Sequence, residues 1–95
     1  MKKFRCRKTE TLYENTHLAK GFLPKTLIDR AIVAVTRVYE AESPDDLRFP
    51  NSNRLELLEP KKDGIWSIRI NMQWRVTFEF EGNSSMNIAI VDYHK

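Results

Sequence analysis

Ile90-Val91-Asp92-Tyr93-His94 runs from an apolar alternation straight into a carboxylate, a phenol and an imidazole. His94 titrates near physiological pH, so it can either give or take a proton there. Upstream, Arg69 and Arg75 sit in the stretch from Gly64 to Phe78. A guanidinium can fork onto phosphate oxygens. The two segments together suggest a small nuclease, and metal-independent cleavage of RNA is one chemistry to weigh. Such chemistry needs a base for the 2′-hydroxyl proton, an acid for the leaving 5′-oxygen, and cations around the crowded phosphorane.

Each of these residues also has a plainer reading. His94 is otherwise a frayed surface histidine. Tyr93 either stacks on a base or donates to phosphate, or it closes the rim of the core. Asp92 orients His94, holds Arg75, or merely solvates a strand end. Arg75 either grips phosphate or pairs across strands with Glu79 or Glu81. Arg54, Lys61 and Lys62 are either backbone-positioning contacts to RNA or a solvated basic turn. Trp66 and Trp74 keep period-two company with Ile68, Ile70, Val76 and Phe78, which marks them as core. His17 has no assigned role. Two histidines far apart and one cysteine, Cys6, give no metal-ligand spacing, and no cofactor is called for.

These groups need a scaffold. Lys2 to Arg7 alternates basic residues with Phe4 and Cys6, which predicts a short edge strand. Thr9 to Glu14 reads as a short helix with Thr9 as N-cap. Lys20-Gly21-Phe22 breaks it, and Pro24 suits the first turn of the next helix. Leu27, Ile28, Ala31, Ile32, Val35, Val38 and Tyr39 then recur at helical spacing, ending before Ser43-Pro44. Ser43 to Asn53 is a loop with a helical turn around Asp45–Leu47. Arg54 to Leu58 is a strand, and Pro60 to Gly64 a turn with a basic tip.

Trp66, Ile68 and Ile70 alternate with Ser67, Arg69 and Asn71; Trp74, Val76, Phe78 and Phe80 alternate with Arg75, Thr77, Glu79 and Glu81. These are two half-buried strands joined near Asn71–Gln73. Glu81 to Ser85 is a hairpin loop, and Met86 to Tyr93 the last strand. Helices followed by a strand meander argue an α+β class. The helices should cover one sheet face, with Arg69, Arg75 and Thr77 on the other.

The 95 residues suggest one domain, spanning 1–95, with a single modest core. The apolar runs fall well short of the ~20 residues of a membrane span. Five basic residues lie among the first eight with no apolar run behind them, so no signal peptide is expected. With a lone cysteine, the expected location is cytoplasmic. A net charge of +3 permits a polyanionic partner without establishing one.

Asn53-Arg54-Leu55-Glu56, Trp66-Ser67-Ile68-Arg69-Ile70-Asn71, Gln73-Trp74-Arg75 and Val91-Asp92-Tyr93-His94 resemble the HigB branch of the RelE-like toxins. The resemblance covers essentially the whole chain. It implies a RelE-like fold with two N-terminal helices packed on one face of a small twisted, mainly antiparallel sheet, in the order β-α-α-β-β-β-β. It implies the toxin of a type II toxin–antitoxin system, a metal-independent endoribonuclease that cuts mRNA in the ribosomal decoding site. It also implies a helix-turn-helix, HigA-like antitoxin as partner, with operator DNA bound only through the antitoxin complex, and no membrane. Under it, His94, Tyr93, Arg75 and Asp92 form the catalytic set. Arg69, Arg54, Lys61 and Lys62 bind the RNA.

The sequence departs from the family where some members carry a His and a Lys. Glu56 and Glu59 stand at the matching positions. Either one of them acts as general base, or Lys61, Lys62 or Arg69 supplies the missing charge. The departures also motivate an alternative, a weak or inactive toxin that mainly binds its antitoxin and regulates the operon.

Overall fold

The computed structural model describes residues 2–18, 21–59 and 64–93; the side chains of Leu18 and Glu59 fall outside the description. His94, Lys61 and Lys62 therefore lie outside the described residues, as does most of the expected basic turn. Two helices, α1 (Arg7–Glu14) and α2 (Ile28–Glu40), precede four strands: β1 (Glu56–Glu59), β2 (Ile65–Arg69), β3 (Trp74–Glu81) and β4 (Ser84–Asp92). The strands form one antiparallel sheet in the order β1-β2-β3-β4. The protein is thus α+β with two helices and a four-strand meander. No described helix is long and apolar enough to cross a membrane.

The alternation in β2 and β3 sends Ile68, Val76, Phe78 and Phe80 to a buried face, joined there by Ile88 and Ile90 of β4. From α2, Ala31, Ala34, Val35 and Val38 enter the same cluster, and Leu12 enters it from α1. Trp66 and Trp74 are half-buried and pack against it, as their spacing requires. Burying apolar surface from both helices and one sheet face is what fixes the sandwich.

The expected strand at Lys2–Arg7 is reduced to a single parallel bridge, Phe4 with Ile88. The backbone amides of Asn87 and Ile88 donate to the carbonyls of Lys2 and Lys3, and the Arg5 amide donates to the Ile88 carbonyl. The segment cannot continue as a strand because α1 begins at Arg7. The N-cap is Cys6 rather than Thr9. Thr9 is fully buried inside the helix, and its Oγ1 accepts a hydrogen bond from the Ile90 amide at 2.9 Å. A residue type common at caps serves here as a buried staple between α1 and β4.

A 3-10 turn at Lys25–Leu27 separates Pro24 from α2, so the proline precedes a tighter turn than expected. The long loop holds two further 3-10 turns, Pro44–Leu47 and Asn51–Asn53. The β3–β4 hairpin is tighter than the expected five-residue loop: Gly82 and Asn83 alone connect the strands. Gly82 has φ +62°, which suits glycine in a two-residue hairpin. Asn87, at φ 54°, lies where the β3–β4 register shifts, and its side-chain amide donates to Glu79.

Candidate active site

The sheet face opposite the helices is built from the alternate residues of each strand. Register places Glu56, Ser67, Thr77 and Ala89 in one row across it, with Arg69, Arg75 and Val91 in the next. The side chain of Arg75 lies across this face. Its Nε donates to Ser67 Oγ at 2.7 Å, and its Nη2 donates to the Arg54 carbonyl at 2.8 Å. The alternative ion pair of Arg75 with Glu79 or Glu81 is absent among the described residues; Glu79 instead accepts from Asn87.

The Arg54 carbonyl reaches Arg75 because the chain turns sharply before β1. Arg54 adopts a left-handed conformation, φ 49° and ψ 52°, at the end of the Asn51–Asn53 turn. Asn53, 2% exposed, holds that turn. Its amide nitrogen donates to the Leu47 carbonyl, and its Oδ1 accepts from Arg37 Nη1 at 3.0 Å. A buried, fully used asparagine thus fixes the loop that braces Arg75.

Tyr93 is 41% exposed, and the Arg75 guanidinium carbon lies 5.5 Å from the centre of its ring. That is within reach of a cation–π contact. The Tyr93 amide donates to the Gln73 carbonyl, which ties the residue after β4 to the β2–β3 turn. That turn is closed by Asn71, whose Oδ1 accepts from the amides of Gln73 and Trp74. Asp92 accepts from the Gln73 side-chain amide at 3.2 Å.

Arg69 stands directly opposite Arg75 in the β2–β3 pairing. Like charges facing across a pair cost stability. An anion seated between them removes that cost. Arg5 adds a third guanidinium to the face by donating to Thr77 Oγ1 at 3.3 Å.

Of the expected site residues, the structure thus brings together Arg75 and Tyr93, with Asp92 two positions after Ile90 at the end of β4. Arg54 enters through its carbonyl. Ser67 was legible only as a polar-face residue, and its alternation with Trp66 and Ile68 is the signal that places it beside Arg75. Arg5 and the Arg54 carbonyl were missed; neither a helix-flanking arginine nor a backbone oxygen has a sequence signature. Among the described residues no group of three His, Cys, Asp or Glu is placed to hold a metal ion.

The α+β scaffold thus holds a twice-anchored arginine beside a half-exposed tyrosine on the sheet face away from the apolar cluster. The chain belongs to the RelE-like toxins of type II toxin–antitoxin systems, HigB, whose family model matches residues 2–94. It is 37% identical over 78 residues to an uncharacterized protein of Haemophilus influenzae, covering 82% of this chain and 74% of that one. It is 40% identical over 55 residues to Toxin HigB-1 of Vibrio cholerae, covering 58% of this chain and 57% of that one.

Proposed function

We propose that this toxin is a ribosome-dependent mRNA endoribonuclease that needs no metal. The observation that carries the reading is the double anchoring of Arg75 on the sheet face away from the apolar cluster, beside Tyr93 and opposite Arg69. A guanidinium held by two hydrogen bonds costs little reorganisation when charge develops on the phosphorane. Its remaining N–H groups are available to non-bridging phosphate oxygens.

In this reading the 2′-oxygen attacks phosphorus, its proton passes to a base, and the 5′-oxygen leaves with a proton from an acid. A 2′,3′-cyclic phosphate and a 5′-hydroxyl result. His94 takes one of these proton roles. Glu56, exposed on the same face in the row of Ser67, is a candidate for the other. Tyr93 stacks on a base or donates to phosphate, and Asp92 orients its neighbours. Arg69, Arg54, Lys61 and Lys62 hold the RNA backbone. The face is open, so the ribosome supplies the in-line geometry that a shallow groove cannot impose. A cytoplasmic location and a helix-turn-helix antitoxin accompany this role.

The test is cleavage of mRNA placed in the decoding site of purified ribosomes. Wild type should cut at defined positions. Arg75→Ala should lose about 10²–10³-fold and His94→Ala about 10²–10⁴-fold in rate. Efficient cutting of naked RNA without ribosomes overturns the ribosome-dependent mechanism. No cutting by wild type, with antitoxin binding retained, points to an inactive toxin that regulates its operon.

A further inference from the structure

A groove of about 560 Å³ opens between α2, the 52–54 loop and the β2–β3 turn. Four arginines line it, Arg30, Arg37, Arg54 and Arg69, against one carboxylate, Asp29. The side chains of Arg30, Arg54 and Arg69 have no hydrogen-bond or ion-pair partner among the described residues. Arg37 has the neutral Asn53. Gathering like charges around one concavity raises the local potential and selects an anionic partner.

The rest of the lining distinguishes between kinds of anion. Val33 is 48% exposed and Met72 87% exposed, and both line the groove together with Ala34 and Ile70. No aromatic side chain lines it, so nucleobases would find no stacking surface there. Aliphatic anchors between guanidiniums fit a peptide that alternates carboxylates with branched apolar side chains. The carboxylates would take bidentate arginine contacts. The unbranched Met72 adapts to the apolar ones.

We propose that this groove seats an acidic, aliphatic-bearing segment of the antitoxin. The proposal rests on the toxin–antitoxin reading and adds the place and chemistry of contact. It carries a mechanism of neutralisation. Arg54 and Arg69 border both the groove and the Arg75 face, so a seated segment withdraws two cations from the RNA.

The experiment is calorimetric titration of the full-length toxin with its cognate antitoxin, using Arg30→Glu, Met72→Asp and Arg75→Ala variants. Arg30 and Met72 are exposed and outside the candidate catalytic set, and circular dichroism verifies that both variants fold. Each should weaken antitoxin binding at least about tenfold, and Arg75→Ala should leave it unchanged. Raising salt should weaken the wild-type complex more than the Arg30→Glu complex. Wild-type affinity in both groove variants overturns the proposal. So does loss of oligouridylate binding with antitoxin binding intact, which would make the groove an RNA site. Failure of wild type itself to bind would remove the antitoxin reading, and the groove proposal with it.

Discussion

Arg75 Nε donates to the hydroxyl of Ser67, a residue with no exposed surface, from the neighbouring strand. The pairing register sets Ser67 opposite Thr77, so the bond runs diagonally from Arg75 to the next row of the same face. The bond therefore depends on strand register as well as on the two side chains. Ser67→Ala should leave the fold in place, lowering stability by about 1 kcal/mol. It should lower the maximal cleavage rate on ribosomes by roughly tenfold while changing KM little, because it frees the guanidinium without removing it. A pure KM effect would assign Ser67 to substrate binding instead.

Arg54 contributes two separable things, a carbonyl and a charge. Arg54→Gly keeps the carbonyl and relieves the left-handed backbone, so thermal stability should hold or rise by up to about 1 kcal/mol. The bond to Arg75 should survive, and only RNA or partner affinity should fall. Arg54→Val should destabilise by about 1–3 kcal/mol, since a β-branched residue resists that conformation. Comparing melting temperatures of the two variants checks the assignment.

Thr9 Oγ1 satisfies the buried amide of Ile90. Thr9→Val preserves shape but orphans that amide, which should cost about 1–3 kcal/mol. Denaturant unfolding should show this as a lower midpoint at unchanged slope. An unchanged midpoint would mean that the α1–β4 staple contributes nothing net.

Cys6 reports on the start of α1. Burial pushes its thiol up, but the polar groups of Thr9 and Lys8 in the first turn of α1 and the Lys8 charge outweigh this. The net effect places the thiol below its ordinary 9.0. The thiolate fraction at neutral pH is therefore raised, and the pH profile of iodoacetamide alkylation should have its midpoint below that value. A midpoint above 9.0 would show that burial outweighs the start of the helix at Cys6.

Period-two alternation carried most of the sheet. Ile68, Val76 and Phe78 are inside and Arg75 is on the open face because side-chain direction in a strand is set by position alone. The stripe on α2 was equally plain, since a 3.6-residue repeat needs no tertiary information. What failed was local chemistry with more than one outlet. Thr9 looked like a cap because threonine oxygens satisfy free helix amides, yet the amide that it satisfies belongs to Ile90. Lys2–Arg7 looked like a strand by pattern, but whether an edge segment pairs over one residue or five depends on where the next helix begins. The Arg54 carbonyl and the diagonal to Ser67 are products of register and loop path, to which no residue type points. Arg30 and Arg37 lie off the apolar stripe of α2, and they border a groove only because the β2–β3 turn folds beside them.

The staple between Thr9 and Ile90 also has a meaning in time. The chain is made from its N-terminus, and α1 is synthesised early, yet the partner for its buried hydroxyl comes 81 residues later. Tyr93, which lies against Arg75, comes later still. A nascent chain that has reached only β3 has its guanidinium but neither the strand that anchors the first helix nor the ring beside that guanidinium. Both the anchoring of α1 and the ring beside Arg75 thus wait on β4 and the residue after it.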